Sequence, residues 1–329
     1  MMATGHYPVM LEETIGALAL AGGETVVDAT FGSGGHTRRI LRELGPEGRV
    51  IGIDRDPEAA ARASRLIGED GRFTFRPGAY DEVLADMVRE GMGADAVLLD
   101  LGLSSYQIDE AGRGFSYVRE GPLDMRMDPG RGESAAEFLN AANQAEIADV
   151  LVRYGDVPRG EARRVAREIS RRRPVATTLD LSEAVRAAVG WKERGGNPSK
   201  RVFQAVRVHI NDELGGLERA LAAAERLLLP DGRLVTITFH SGEDRVVKSF
   251  ISERTGRCDC PPELPVCVCG AHPTLRKGVV RRPSVREAEQ NPRSAPARLR
   301  SARRTLKPVD AVGAPEEGSS EEGSSEEAF

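Results

Sequence analysis

The segment Thr25-Val26-Val27-Asp28-Ala29-Thr30-Phe31-Gly32-Ser33-Gly34-Gly35-His36 limits the possible fold more than any other. Its first half has the β-branched density of a buried strand, and its second half is a glycine-rich loop. Arg38 to Leu44 then reads as a helix. A strand that leaves through glycines into a helix start lets the backbone come close to a ligand and aims free amide groups at it. Similar units follow. Arg49 to Asp54 is a second short buried strand, and Asp56-Pro57 supplies an N-cap and a first-turn proline for a helix to about Ile67. Phe73 to Arg76 is a third strand, Asp81 to Glu90 a helix, and Asp95 to Leu101 a fourth strand, apolar on both faces. Strands that alternate with helices and carry continuous apolar runs predict a doubly wound, Rossmann-like α/β fold on a parallel sheet.

After Leu103 the pattern turns helical for about a hundred residues. Glu133 to Tyr154 and Arg159 to Arg173 are amphipathic, Thr177-Thr178-Leu179-Asp180 leads into a helix to Val189, and Gly195-Gly196-Asn197-Pro198 punctuates the chain. A helical region from Arg201 to Leu229, a Pro230-Asp231-Gly232 turn and a fifth strand, Arg233 to Phe239, resume the α/β pattern. Glu243 to Arg254 reads as a helix, and Gly278 to Arg281 with Ala297 to Thr305 as a closing antiparallel strand pair. The expected organisation is a split α/β domain, residues 1–107 and 206–309, around an inserted helical substrate-recognition domain, 108–205. The acidic Glu-Glu-Gly-Ser-Ser repeats of 310–329 bury too little apolar surface to order themselves.

The formal charge of −5 reflects six glutamates in that tail; without them 46 bases face 45 acids. Residues 271–309 hold eleven Lys or Arg against Glu287 and Glu289. Such a stretch suits a nucleic-acid partner and equally suits an ordinary solvated surface. Apolar runs fall well short of the roughly 20 residues of a membrane span, and no signal-peptide pattern opens the chain, so a cytoplasmic setting is expected. All four cysteines, Cys258, Cys260, Cys267 and Cys269, lie within twelve residues. They fit a small structural zinc knuckle, free thiols or disulfides, and their one-residue spacers are tight for zinc.

Open α/β sheets bind ligands at the carboxyl ends of their strands, and polar residues converge there. Asp54 ends the second strand, twenty-two positions after Gly32, where a carboxylate can accept hydrogen bonds from a ribose diol. Tyr80 follows the third strand and can cover an adenine face, although plain packing is the commoner use of such a tyrosine. Asp100 ends the fourth and can hold an amino or ammonium group. His36 serves equally as a helix-start hydrogen bonder or as a ligand contact. An adenosine cofactor fits this set. Thr37 stands where a dinucleotide fingerprint wants glycine, which weighs against a pyrophosphate.

The sequence also resembles the bacterial methyltransferases that modify a cytosine N4 of 16S rRNA, the RsmH or MraW family, from about His6 to Thr305. The resemblance is carried by His6-Tyr7-Pro8-Val9-Met10-Leu11-Glu12-Glu13, Asp28 to His36, Gly52-Ile53-Asp54-Arg55-Asp56-Pro57 and Leu99-Asp100-Leu101-Gly102-Leu103-Ser104-Ser105. Gly114-Phe115-Ser116, Gly121 to Asp128, Arg201-Val202-Phe203-Gln204-Ala205-Val206-Arg207 and Phe239-His240-Ser241 before Glu243-Asp244-Arg245 extend it. It implies a class I methyltransferase sheet, S-adenosylmethionine as cofactor and 16S rRNA of the small ribosomal subunit as partner. It also implies cofactor contacts at Gly34, Gly35, His36, Asp54, Tyr80, Asp100 and Gln107, and a target at cytosine 1402 in the usual rRNA numbering.

Methyl transfer from a sulfonium is an in-line displacement, so alignment of donor and acceptor is the protein's main task. The N4 lone pair is delocalised into the ring, and its nucleophilicity rises when the N–H bonds meet strong acceptors. Asp100-Leu101-Gly102-Leu103 lacks the Pro-Pro-aromatic run many amino methyltransferases place there, so the activating group is open between Asp100, Asp124 and His240. Reaching N4 requires an unpaired or flipped base. Arg126, Lys200, Arg201 and the stretch Arg293 to Arg304 are phosphate-contact candidates, each of a type that is usually just surface charge. A NAD-dependent oxidoreductase or a noncatalytic RNA-binding protein on the same fold are the competing readings.

Overall fold

The computed structural model describes residues 8–190, 197–256 and 273–306. The first half of the sheet region runs α1 (Leu11–Leu18), β1 (Thr25–Asp28), α2 (Gly35–Glu43), β2 (Arg49–Asp54), α3 (Pro57–Glu69), β3 (Phe73–Pro77), α4 (Tyr80–Arg89) and β4 (Ala94–Asp100). Then come α5 (Ser105–Asp109), a 3-10 turn at Ala111–Arg113, α6 (Ala135–Ala141), α7 (Gln144–Gly155), α8 (Arg159–Arg171) and α9 (Thr178–Val189). The chain continues with α10 (Ser199–Ile210), α11 (Glu213–Leu227), β5 (Leu228–Thr238), α12 (Ser241–Arg254), β6 (Leu275–Arg281), α13 (Val285–Gln290) and β7 (Arg298–Arg304).

The strands form one sheet in the order β3-β2-β1-β4-β5-β7-β6. β1 to β5 run parallel, and β7 lies antiparallel between β5 and β6. This is a doubly wound sheet with the antiparallel strand pair β6 and β7 at its edge. β1 pairs with β2 on one side and β4 on the other, so the crossover direction reverses there and a crevice opens at the strands' carboxyl ends. Two apolar clusters cover the sheet's faces, one including Val27, Leu84, Leu99 and Leu221, the other Val26, Ile40, Leu98 and Val235. Val26 and Val27 therefore bury on opposite sides, the reason the central strands are apolar throughout.

A third cluster gathers residues from Phe115 to Val206, among them Leu139, Leu151, Val165 and Leu181. α10 contributes Val202, Phe203, Ala205 and Val206 to it while continuing unbroken to Ile210. The helix expected from Glu133 to Tyr154 is two helices. Asn143 interrupts it, accepting from the amides of Ala145 and Glu146 while Glu146 returns the capping box. The helical run from Arg201 to Leu229 breaks where Asp212 takes a left-handed backbone, φ 46°. Beside it, Asn211 accepts from the Met127 amide at 2.8 Å and donates to the Met125 carbonyl at 2.7 Å. The Pro230-Asp231-Gly232 turn is an irregularity inside β5, which starts at Leu228. No described helix is long and apolar enough to cross a membrane.

Candidate active site

The carboxyl ends of β1, β2 and β4 open into a cavity of about 700 Å³. Its floor begins at the β1 exit. Buried Asp28 accepts from the Thr37 hydroxyl at 2.6 Å and the Thr30 amide at 3.3 Å. Burial nevertheless pushes its carboxyl up to about 6. The threonine that replaces a fingerprint glycine thus anchors the strand end to the start of α2. Gly34 adopts φ 76°, and a Cβ there would sit 2.8 Å from the Phe31 ring; one on Gly35 would run into Pro8. The loop is glycine because ring and proline close in on it.

Asp54 accepts from the amides of Gly32 at 2.7 Å and Asp56 at 2.9 Å, one on each oxygen. Each oxygen retains a lone pair for a further donor. Burial raises this carboxyl. Tyr80 opens α4 and donates to the Glu213 carbonyl at 3.4 Å. The Asp100 amide donates to the Thr30 hydroxyl at 2.7 Å, while buried Oδ1 has no hydrogen-bond partner. Its Oδ2 lies 3.5 Å from His36 Nδ1. His36 Nε2 donates to the Val9 carbonyl at 3.1 Å, leaving Nδ1 as an acceptor. Burial lowers that imidazole to about 4. Burial, aided by the charges of Asp28 and Glu243, holds the Asp100 carboxyl well above its usual range.

Gln107 accepts from the Ser104 amide at 3.0 Å, closing a capping box, and donates to Asp56 at 2.7 Å. It borders the cavity with its amide engaged inside the protein. Gly35, His36, Asp54, Tyr80 and Asp100 also border the cavity, whereas Gly34 is not among the lining residues.

The opposite wall comes from α10, which turns Lys200, Phe203, Gln204 and Arg207 to the cavity at helical spacing, and from Phe115 to Arg119. Asn291 to Arg293 close the rim, in the segment after α13, which Glu287 ties to the Met10 amide at 2.7 Å. Arg207 donates to both Glu213 oxygens at 2.7 Å. His240 caps α12, its Nδ1 accepting from the Glu243 amide at 3.4 Å, while Glu243 accepts from the amides of Phe239 and His240 at 2.7 and 3.2 Å. Burial pushes the Glu243 carboxyl up, but His240, Arg207 and the Phe239 amide outweigh it and leave it below the usual range.

The other candidates fall elsewhere. Asp124 and Arg126 are spent on each other, with two contacts of 2.8 and 2.7 Å, and neither lines the cavity. Arg201 leaves the cavity side of α10 and donates to the Asp156 carbonyl at 3.3 Å. Within the basic stretch, Arg293 lines the rim but pairs with Asp109 at 2.8 Å, and Arg298 and Arg300 grip Asp244 at 2.7 and 2.8 Å. Of the three named phosphate-contact candidates, only Lys200 lines the cavity. Arg207, Glu213 and Glu243 were not anticipated, although Arg207 recurs seven positions after Lys200 and Glu243 three after His240, the spacings of shared helix faces. Cys258, Cys260, Cys267 and Cys269 lie outside the described residues, as does the segment 310–329.

Among solved structures, an rRNA methylase from Streptococcus thermophilus aligns over 90% of this chain and 93% of its own, with 12% identity and a TM-score of 0.40. Sequence likeness is far stronger. The chain is 71% identical over 309 residues to ribosomal RNA small subunit methyltransferase H of Rubrobacter xylanophilus, covering 94% of this chain and 99% of that protein. It is 47% identical over 311 residues to the protein of the same name from Symbiobacterium thermophilum, covering 91% and 96%. The profile of the MraW methylase family matches residues 3–305, and on that near-complete match this chain belongs to the MraW methylase family.

Proposed function

We propose that the protein transfers the methyl group of S-adenosylmethionine to the N4 amine of one cytosine in 16S rRNA of the small ribosomal subunit. The observation that carries this reading is one continuous cavity shared by the β1, β2 and β4 ends and by α10, of a size that takes a cofactor-sized ligand. Its sheet side carries the Asp54 and Asp100 carboxyl groups, which suit a cationic ligand. A pyrophosphate would meet those carboxylates, and this weighs against a NAD-dependent oxidoreductase. The printed names of the relatives support an rRNA substrate.

When bound, S-adenosylmethionine supplies an electrophilic methyl group on a sulfonium. Asp54 accepts the ribose hydroxyls, Tyr80 covers the adenine, and Asp100 faces the ammonium and the incoming amine. The helical part, 108–205, is the rRNA-recognising domain between the two halves of the α/β domain, and Lys200 contacts phosphate at the rim. The target cytosine enters unpaired.

Incubating unmodified 30S particles with the protein and labelled cofactor should yield labelled N4-methylcytidine by nucleoside mass spectrometry. Label at another nucleoside, or none, overturns the reading. Asp54→Ala should weaken cofactor binding by about 1 to 3 kcal/mol, the scale of hydrogen bonds to a charged group. An unchanged dissociation constant in isothermal titration removes Asp54 from the site, and binding of NAD without S-adenosylmethionine restores the oxidoreductase.

A further inference from the structure

His240 keeps a polar atom whose only close neighbour is the Glu243 carboxylate, without a well-formed hydrogen bond to it. Its side chain is 9% exposed, and Nε2 is buried without a hydrogen-bond partner, although Glu243 Oε1 stands 3.3 Å away. Because Nδ1 accepts from the Glu243 amide, the ring proton sits on Nε2. Both residues line the cavity beside Asp100 and Phe239, and an N–H donor lies next to a carboxylate acceptor within its wall.

Glu213, His240 and Glu243 each offer a ligand atom within 4.8 Å of the others, the spacing of a metal site. Arg207 argues against a cation there, since its guanidinium already occupies both Glu213 oxygens and an ion would have to displace it. A neutral ligand edge with one acceptor next to one donor fits without that conflict.

Resting on the proposed cytosine substrate, we infer that His240 and Glu243 read the Watson–Crick edge of the target base, Nε2–H donating to N3 and the Glu243 carboxylate accepting one N4 hydrogen. Uracil reverses both groups. Its N3–H would face Nε2–H, and its O4 would face the carboxylate, leaving buried polar groups unpaired on both sides. The acceptor at N4 also draws electron density toward the reacting amine. These are specificity-determining residues, and Asp100 keeps its proposed place facing the ammonium and the incoming amine.

The test uses 30S particles with the methylated cytosine intact or replaced by uracil, competing for the full-length protein loaded with S-adenosylhomocysteine. The wild-type protein should prefer cytosine by about 10- to 100-fold, as expected for mismatched buried hydrogen bonds. His240→Asn keeps an N-cap side chain but places nothing at Nε2, so cofactor affinity should hold and the melting temperature should fall only modestly, by the lost contact to Glu243, while the preference drops to about threefold or less. Glu243→Gln is the second variant and should narrow the preference likewise. A wild-type ratio near one, or an unaltered ratio in both variants, overturns the inference and leaves the methyltransferase reading standing. A preference lost on EDTA treatment and restored by zinc or magnesium overturns it in favour of a metal site. Absence of N4-methylcytidine from the wild-type reaction instead defeats the underlying function.

Discussion

Asp100→Asn should bind S-adenosylmethionine about 10- to 100-fold more weakly than the wild-type protein and yet melt at a higher temperature. Both effects have one cause. The Asp100 carboxyl is held well above its ordinary value of 3.8 by burial and by the charges of Asp28 and Glu243, and Oδ1 has no partner. In the ligand-free cavity the folded state therefore holds a proton that the unfolded chain has already released. Stability falls as pH rises from the ordinary carboxylate range through the raised value, and asparagine, which cannot ionise, escapes that loss. A cationic ligand demands the ionised form, so cofactor affinity should climb with pH up to the raised value and level off above it. The variant should lose this contribution to the slope. Isothermal titration and thermal melts between about pH 5 and 8 measure both. An Asn variant with the wild-type pH slope, or with a lower melting temperature at neutral pH, would show that Asp100 is a structural carboxylate.

The second large effect is expected at a residue that need not touch the ligand. Asp56, 2% exposed, caps α3 and receives Arg113 at 3.0 Å and Gln107 at 2.7 Å. Arg113 also donates to the Met127 carbonyl at 2.8 Å and the Arg126 carbonyl at 3.2 Å. The guanidinium thereby stitches the loop after β2 to the segment preceding α6. Arg113→Ala strands a buried carboxylate and two carbonyls, a loss of about 3 to 5 kcal/mol. Urea denaturation should show the drop in midpoint. Cofactor affinity should fall too, because the Asp56 amide holds Asp54 Oδ1. The double variant Asp56→Asn, Arg113→Met should recover much of the stability, since it removes both charges together. A loss below about 1 kcal/mol in Arg113→Ala would mean that water replaces the pair.

Legibility followed distance along the chain. β1, β2, β4 and the start of α3 were readable because their signals are local: β-branched density, continuous apolar runs, and an Asp-Pro cap whose carboxylate accepts from Glu58 two residues on. The rule that strand ends gather the ligand then placed His36, Asp54, Tyr80 and Asp100 on the cavity. Short helices such as α5 and α13 lacked the length for a periodic signal. The break at Asn143 was locally encoded by its capping box with Glu146, but it lay inside a longer amphipathic pattern that masked it.

The alternation of strands and helices that begins with the opening strand and glycine loop was enough to predict a parallel α/β sheet with a crevice at its carboxyl edge, since hydrogen-bonding needs and side-chain periodicity act over a few residues. Only the tertiary structure decided which polar groups are spent and which are left over. Asp124 and Arg126 stand in a long motif yet neutralise each other, while Thr37 finds Asp28 and Arg207 finds Glu213. His240 and Asp100, by contrast, end with buried atoms that nothing in the described chain satisfies. The paired groups lie only two to nine positions apart, yet which pairs close and which groups are left over depends on how the strand ends, loops and helices pack together, and no local pattern carries that information.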